Sequence, residues 1–337
     1  MSHQPPSLNR RSSTPWDRLR PVKQDPLESV GFVSKGDNRL LDIKTQETYY
    51  HKITARYMQF CTQNSKNLYE AFTSLSLTGS TPAPTPKAEN LSSSRWAVPG
   101  ARPTTAGYGS KNATTSRASN VNASVSPEPA EELSVILTAL RKLREAILAT
   151  SASAPSPAFS QRVHVFNIRL AILALHPESY HASLRYLLTS LHSQAHPLPA
   201  SELREMTAYL ILDTALRVDN VIEAHAIRVR AKERWRFRDR DVDLILKAVI
   251  SNNWPLFWRM RNKVDGYVRA IMHWKLEALR MTVLKAIGRS YMKCDIDWIL
   301  QSTTGGEMSW EELVEKEDIG WLRDGNTAMI RKPKPKT

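Results

Sequence analysis

Residues 309–331 read SWEELVEKEDIGWLRDGNTAMIR, and they carry the most specific local signals in the chain. Ser309 followed three residues later by Glu312 is the pattern of a capping box, which predicts that a helix begins here. The turn residues Asp324-Gly325-Asn326 stand between two short runs in which apolar and polar residues alternate. An Asp-Gly turn in that setting predicts a β-hairpin. We therefore expect a short helix followed by a hairpin at this end of the fold.

The residues upstream of this stretch predict two more helices. Residues 294–302 carry Ile296, Ile299 and Leu300 at helical spacing, and Gly305-Gly306 follows as a breaker. From about residue 267 to residue 289 the apolar period predicts one long helix, with Ile271, Trp274, Ala278, Met281, Leu284 and Ile287 facing inward. A long helix, two short helices and a small hairpin are the layout of a winged helix, which we expect over residues 266–333.

Residues 130–265 show a helical period almost without a break. Pro177 suits the first turn of a helix, Pro199 precedes another, Asn220 marks a break between two helical stretches, and either Asp239 or Asp241 can cap the helix that follows. The helices are of ordinary length and their connections are short. This pattern predicts a mainly α protein whose helical hairpins stack into an array, as in TPR and HEAT proteins, but irregularly because no fixed sequence period is found.

The composition of the first 129 residues is uneven. Residues 1–37 are rich in Pro, Ser and Arg, and residues 78–129 are rich in Thr, Ser, Ala, Pro, Asn and Gly. Both stretches lack an apolar period, which predicts a disordered basic arm and a disordered linker. Residues 38–77 instead carry an apolar stripe, which predicts an N-terminal helical segment with a second short helix near residues 67–75. Residues 334–337 form a short basic tail.

Charge and cysteine content narrow the class of protein. The formal net charge is +14, and the two cysteines are too few for a disulfide-stapled secreted scaffold. An apolar run of the length that a membrane span needs is lacking, and so is the apolar core of a secretory signal at residues 1–25. We expect a soluble protein of the cytoplasm and nucleus.

Patterns typical of catalysis or metal binding are weak. His192 and His196 are four residues apart, but Ser193 stands where a zinc protease would need Glu, and a His-x-His pair does not occur. Cys61 and Cys294 are read as small packed side chains rather than nucleophiles. Gly305-Gly306 lacks the Lys and Ser/Thr of a phosphate-binding loop. The sequence thus predicts no enzyme, catalytic residue, cofactor, metal or small-molecule substrate.

The sharpest charge feature is a basic run in which every second residue is cationic. Its members, with one interleaved tryptophan, are Arg228, Arg230, Lys232, Arg234, Trp235, Arg236, Arg238 and Arg240. On a strand the cations would share one face, whereas on a helix they would spread around the cylinder. Three interpretations stay open: a solvated connection paired with Glu233, Asp239, Asp241 and Asp243, a contact with an acidic surface of a partner protein, or a contact with nucleic acid.

The predicted helix at Ser309–Asp318 argues against DNA reading by the winged helix. It carries five acidic residues and only Lys316 as a base, so phosphates would be repelled. The strand edge of the hairpin stays available for a neighbouring protein. We expect partial exposure at an interface for Trp310 and Trp321, and the same surface would include Arg323, Met329 and Arg331.

The C-terminal two thirds of the chain resembles the PCI domain. The residues that carry the likeness are the segment NNWPLFW at 252–258, the helix at 270–291 and the ending GWLRDGNTAMIRKP at 320–333. The likeness covers about residues 130–333, and it is to the small-subunit branch that includes signalosome subunit eight, proteasome lid subunit twelve and the k subunit of initiation factor three. It does not account for the first 129 residues.

This resemblance implies assembly rather than chemistry. PCI subunits act as scaffolds whose winged helices associate side by side, so the expected partners are other protein subunits of a large complex. A related alternative is the PCI-like domain of messenger-RNA export or processing scaffolds, which would bind RNA through the basic run at residues 228–240. RNA binding would weaken steeply with salt, whereas an apolar contact between subunits would persist.

Overall fold

Helices make up most of the computed structural model, which describes residues 26–29, 31–32, 39–78, 128–150 and 156–331. A small three-stranded antiparallel sheet lies near the C-terminal end of this range. The predicted mainly helical class is therefore confirmed. Most of the predicted arm, nearly all of the predicted linker and the tail at 334–337 lie outside the described residues.

The folded part begins earlier than the sequence predicts. A short helix, α1, spans Pro26–Ser29, and Leu27 is 2% exposed. Phe32 is also buried, with its ring edge-on to Tyr49 at 5.3 Å between centroids. The prediction of a disordered arm over residues 1–37 is wrong for these few residues. Isolated apolar side chains carry no period, so only the tertiary contact reveals that they are buried.

Two helices follow and pack on the rest of the protein. They are α2, Ile43–Gln63, and α3, Leu68–Thr78, and both contact α4, Pro129–Ala149. Tyr50 of α2 lies edge-on to Phe159 and Phe166 of α5, Pro157–Leu173, with centroids 5.9 and 5.8 Å apart. The segment predicted at residues 38–77 therefore shares one hydrophobic core with the helices that follow it.

Helices pack in sequential pairs through the middle of the chain. These elements are α6, Pro177–Tyr186, a π-helical stretch at Leu187–Leu191, α7, Ala200–Leu216, α8, Val221–Trp235, α9, Arg240–Ile250, and α10, Trp254–Lys263. The pairs are α5 with α6, α7 with α8, and α9 with α10. Asp239, one of the two predicted candidates, is the N-cap of α9, because its side chain accepts bonds from backbone N–H groups of the first turn. Asn220, predicted only as a break between helical stretches, caps α8 in the same way.

The long helix predicted near residues 267–289 is wrong, because two helices occupy this range. They are α11, Gly266–His273, and α12, Leu276–Ser290. Between them the N–H groups of Trp274 and Lys275 donate to carbonyls only three residues back, which tightens the turn and ends α11. The predicted inward face is right for Ile271, Leu284 and Ile287, which are buried, and wrong for Ala278 and Met281, which are exposed. Leu276, Leu279 and Val283 are buried in their place.

The C-terminal unit contains the sheet and two short helices. Its elements are β1, Lys293–Asp295, α13, Ile296–Thr304, α14, Trp310–Glu317, β2, Leu322–Asp324, and β3, Thr327–Met329. The strand order is β1-β3-β2, and Ala328 of the central strand lies opposite Cys294 and Arg323. The predicted capping box and hairpin are both confirmed.

Strand β1 was not predicted, because residues 294–295 were assigned to the following helix. A strand of three residues is too short to show alternation, and it forms only because β3 supplies its hydrogen-bond partners. Asp295 ends the strand and also caps α13, with its carboxylate accepting from the Trp298 N–H at 3.0 Å.

Close contacts join the C-terminal unit to the helices before it. Gly305 ends α13 at a φ of +67°, and a Cβ there would lie 2.5 Å from the Trp258 ring. The Trp258 indole N–H donates to the Ser302 carbonyl at 2.9 Å. Arg261, itself buried, reaches Glu307 at 3.2 Å. The sheet and its helices are therefore seated on the helical body.

Candidate protein-interaction surfaces

The basic run does not form one charged face. Arg228, Arg230, Lys232 and Arg234 lie on α8, Arg236 and Arg238 lie in the connection after it, and Arg240 begins α9. Residues four apart on a helix share a face, so Arg230 and Arg234 point one way while Arg228 and Lys232 point another. The prediction that a helix would spread these charges is confirmed for α8.

Ion pairs engage only part of this run. Arg228 pairs with Asp243 of α9, as the interpretation of a solvated, paired connection expects, with 2.6 Å between Nη2 and Oδ2. Arg230 pairs with Glu223 at 2.6 Å. The other two aspartates expected as partners pair elsewhere, Asp239 with Arg204 at 3.0 Å and Asp241 with Lys263 at 2.6 Å. The remaining cations of the run are exposed and have no ion pair among the described residues: Lys232, Arg234, Arg236, Arg238 and Arg240.

A groove of about 450 Å³ lies between α6, α7 and α8. We call it the α6–α8 groove. Its apolar lining comes from Leu188, Leu210, Val218, Ile227, Ala231 and Trp235. Its polar and charged lining includes Arg185, Arg230, Arg234, His181 and Glu223. The groove therefore presents to solvent an apolar floor surrounded by a mostly cationic rim.

Buried polar contacts hold one wall of the groove. Asp213 of α7 is fully buried and accepts hydrogen bonds from the Tyr180 hydroxyl at 2.6 Å and from Arg217 Nε at 2.6 Å. Its second oxygen lies 3.1 Å from His181 Nδ1, on the groove side. Burial, followed by the charge of Asp213, raises the pKa of Tyr180, so its hydroxyl stays a donor. This network fixes α6 against α7.

Hydroxyl groups in the groove are engaged by the backbone. Thr189 donates to the Arg185 carbonyl at 2.8 Å, and Thr214 donates to the Leu210 carbonyl at 2.7 Å. The His181–Asp213 pair therefore has no free hydroxyl beside it among the lining residues. The groove offers shape, apolar area and positive charge, which are the properties of a binding surface.

The histidines and cysteines singled out in the sequence do not converge. His192 Nδ1 accepts from the Leu198 N–H at 3.1 Å and the ring lies edge-on to Trp235, while the His196 carbonyl accepts from Gln161. Cys61 and Cys294 are half-buried free thiols, and burial raises the pKa of Cys294. Within the described residues no three His, Cys, Asp or Glu side chains are placed to share a metal ion.

The five candidate residues of the C-terminal unit differ in exposure. Trp310 is only 7% exposed and belongs to the core, so the expected partial exposure of this ring is wrong. Trp321 is half-buried and lies over Gly288 of α12, where a Cβ would be 3.6 Å from the ring. Arg323 is exposed and pairs with Glu311 at 2.6 Å. Arg331 is exposed and donates to the Gly288 carbonyl, and Met329 is half-buried.

The outward face of the sheet carries two apolar side chains beside charged ones, since Lys293 of β1 lies opposite Met329 and pairs with Asp324 of β2 at 3.3 Å. Ala328 is fully buried, so its neighbours Thr327 and Met329 point to the opposite face. Leu322 lies directly across from Met329 and is 57% exposed. We call this pair the sheet-face pair. It lies beside the outer edge of the sheet, because β2 pairs only with β3.

Helix α14 keeps its acidic character in the fold. Glu312 accepts from the Ser309 N–H at 2.9 Å in the capping box, and Glu317 is buried in a pair with Arg280 at 2.6 Å. Glu315 and Asp318 are exposed, like Glu311. Negative charge at the first turn also suits the helix dipole. This surface is unfavourable for a phosphate backbone.

No family model matches the chain, and no curated protein is significantly similar to it. Within the described residues, no helix combines the length and the apolar character that crossing a bilayer requires.

The α6–α8 groove was not predicted from the sequence. One part of its signal was present, because Ile227, Arg230, Ala231 and Arg234 recur at the spacing of one helix face. The other walls come from α6 and α7, and their packing against α8 cannot be read from a periodic pattern. In the sequence, the cations of the basic run occur at every second residue. On a helix, residues three and four apart share a face, so the run alone did not show which of its cations lie together.

Proposed function

We propose that this chain is a non-catalytic scaffold subunit of a multisubunit complex of the PCI type, like those of the signalosome, the proteasome lid and initiation factor three. Its partners in this proposal are other protein subunits, which it contacts through the C-terminal sheet and the helical body. The cytoplasm and nucleus are the compartments in which it would assemble.

The order of elements in the C-terminal unit carries this proposal. Helix α12, strand β1, helices α13 and α14 and the β2–β3 hairpin follow one another, and the hairpin's second strand pairs with β1. A helix, two short helices and a hairpin form the layout of a winged helix. Its position after pairs of packed helices supports the array-plus-wing plan of a PCI domain.

The surface of this unit favours a protein partner over a nucleic acid. The exposed acids of α14 would repel phosphates, while the sheet-face pair presents apolar area beside an unpaired strand edge. Strand addition at such an edge, with an apolar side chain seated in a pocket of the partner, is a common route to association.

The test compares two variants of the full-length tagged chain, each expressed in the native cell and purified gently with its bound proteins. Leu322→Asp places a charge on the sheet-face pair. Met58→Asp makes the same change at another exposed apolar residue, on α2 and 63% exposed. We expect the wild type and Met58→Asp to co-purify with the same set of proteins in fixed ratios, and Leu322→Asp to lose at least one of them, as quantified by mass spectrometry.

Two results would contradict this proposal. One is a wild-type chain that purifies without any protein in a fixed ratio. The other is a set of bound proteins that is identical for all three chains. Circular dichroism of each purified variant separates a lost contact from a lost fold.

A second candidate function, RNA association, is favoured by the cations without an ion pair near the α8–α9 connection. Lys232, Arg236, Arg238 and Arg240 are all exposed. Contacts that depend on phosphates lose affinity steeply as salt rises, whereas apolar contacts persist. Retention of the co-purified set at high salt and after ribonuclease treatment supports the scaffold, and its loss in both treatments supports RNA association.

A further inference from the structure

We propose that the α6–α8 groove binds an acidic amphipathic segment of a partner protein. Large apolar side chains of that segment would enter the groove, and its carboxylates would pair with Arg185 and Arg234. This inference deepens the proposed scaffold function, since it names the chemistry of a partner for the helical body, but it concerns a surface distinct from the C-terminal sheet.

The floor of the groove is apolar and favours the binding of apolar side chains. Leu188 and Ala231 are buried beneath it, Leu210 and Ile227 are half-buried, and Val218 is half exposed at its border. A volume of about 450 Å³ accommodates a few large side chains. Covering this surface removes apolar area from water, which is the main favourable term in protein association.

The rim of the groove is positively charged and favours the binding of negatively charged groups. Of its three arginines, Arg230 is already paired with Glu223, the one acidic residue of the lining. Arg185 and Arg234 are exposed and have no ion pair within the described residues. Arg234 lies over the Trp235 ring, 5.5 Å from its centroid, so a guanidinium and an indole stand together at one end. Arg and Trp are the side chains that most often dominate the binding energy of an interface.

The walls of the groove are held before any partner arrives. The Tyr180–Asp213–Arg217 network fixes α6 to α7, and His192 packs edge-on against Trp235 at 5.6 Å. A preformed groove spares a ligand the cost of ordering the receptor. Arg185 and Arg234 are exposed, so their long side chains can change rotamer to match the spacing of the carboxylates.

The chain itself is a poor source for the occupant. Residues 79–127 contain five basic residues and one acidic residue, and residues 1–25 contain five basic and two acidic residues. All charged residues in the segment 332–337 are basic. Each of these segments would meet the rim with charge of the same sign. Charge complementarity therefore points to a segment of another protein.

A nucleic acid fits the groove less well than an acidic peptide does. Phosphate binding along a strand needs a row of cations, but α8 sends Arg228 toward Asp243 and away from the groove. Two unpaired arginines beside a deep apolar floor suit a few carboxylates and large side chains instead. If the run bound RNA instead, each of its exposed cations would contribute about equally to the affinity.

The test selects ligands for the full-length chain from a displayed library of random short peptides. We expect the selected peptides to be enriched in Asp and Glu together with Leu, Phe or Trp. Their affinity is then measured for Arg234→Glu, on the rim, and for Arg238→Glu, an exposed cation of the same run outside the groove. We expect Arg234→Glu to weaken binding about ten-fold or more and Arg238→Glu to change it less than about two-fold.

A third variant, Val218→Asp, tests the apolar border and is also expected to weaken the selected peptides. The proposal is overturned if selection yields no acidic enrichment, or if the selected peptides bind Arg234→Glu as they bind the wild type. It is also overturned if homopolymer RNA displaces them and both arginine variants weaken binding equally. Because Leu322→Asp leaves the groove untouched, peptide binding by that variant separates failure of this inference from failure of the scaffold proposal.

Discussion

At the scale of single residues, burial strongly perturbs the titration of His164 of α5. Its side chain is 2% exposed, and neither ring nitrogen has a hydrogen-bond partner among the described residues. Burial, reinforced by the charge of Arg144, lowers its pKa from 6.5 to about 3. The ring packs against Tyr186 with centroids 5.1 Å apart. The folded protein thus holds a neutral imidazole that the unfolded chain can protonate.

This residue predicts acid sensitivity of the fold. Because the folded pKa lies below the unfolded value, the unfolded state binds more protons once the pH falls below about 6.5, and stability is lost toward the folded pKa near 3. Between about pH 7 and about pH 5 the loss from His164 alone is about 2 kcal/mol. His164→Leu removes this component, so we expect its free energy of unfolding, measured by denaturant titration, to fall less over that range than that of the wild type.

The control for this prediction is His225→Gln, since His225 is exposed on α8. It is expected to keep the pH dependence of the wild type. Equal pH dependence of the wild type and His164→Leu would show that the ring is accessible to protons in the folded state.

At the scale of elements, a buried ion pair joins α12 to α14. Arg280 and Glu317 are each 8% exposed, and their side chains meet at 2.6 Å. Removing both charges from water costs free energy, and the attraction between them offsets that cost only when the two side chains are well aligned. The pair therefore sets how α14 lies against α12, and with it the position of the hairpin that follows.

A double-mutant cycle tests this role. Arg280→Met and Glu317→Leu each leave one buried charge without its partner, so we expect each to lower the free energy of unfolding by about 3 to 5 kcal/mol. The double variant replaces both charges with apolar groups and is expected to recover most of that loss. Denaturant unfolding of the four proteins measures the coupling, and additive losses in the double variant would contradict the prediction.

At the scale of the whole molecule, α4 lies at the centre of the N-terminal packing. Helices α2 and α3 contact it, and so does α1. Tyr50 and Tyr57 of α2 also reach Phe166 of α5, with ring centroids 5.8 and 5.3 Å apart. The core is continuous from Leu27 to Ala328. The N-terminal helices therefore belong to the same folded unit as the helical body.

This shared core predicts that cutting the chain between α3 and α4 leaves the pieces together. A protease site inserted among residues 79–127 and then cleaved should yield two fragments that co-elute in size-exclusion chromatography, because their apolar faces remain buried against each other. Tyr50→Asp in the same protein is expected to weaken this association by burying a charge among aromatic rings. Separate elution of the fragments without denaturant would show that residues 38–77 form an independent unit.

How much the sequence predicts depends on whether the signal is local. The capping box at Ser309, the break at Asn220, an N-cap at Asp239 or Asp241 and the turn at Gly325 were all predicted, because each pattern acts within four residues. Strand β1 and the break at Trp274 were not predicted, because each depends on neighbours far along the chain. The sequence alone showed the cations of the basic run. Which of them share a face became clear only from the observed helix.

By itself, the sequence determined the helical class, the capping box at Ser309 and the hairpin, since period, caps and turn residues act through bonds to nearby backbone groups. Only the tertiary structure decided that Leu27 and Phe32 are buried, that Trp310 turns inward and that the two arginines Arg185 and Arg234 flank one apolar floor. The physical reason is that burial and grooves arise from the packing of elements distant in sequence, and no local pattern records which faces meet.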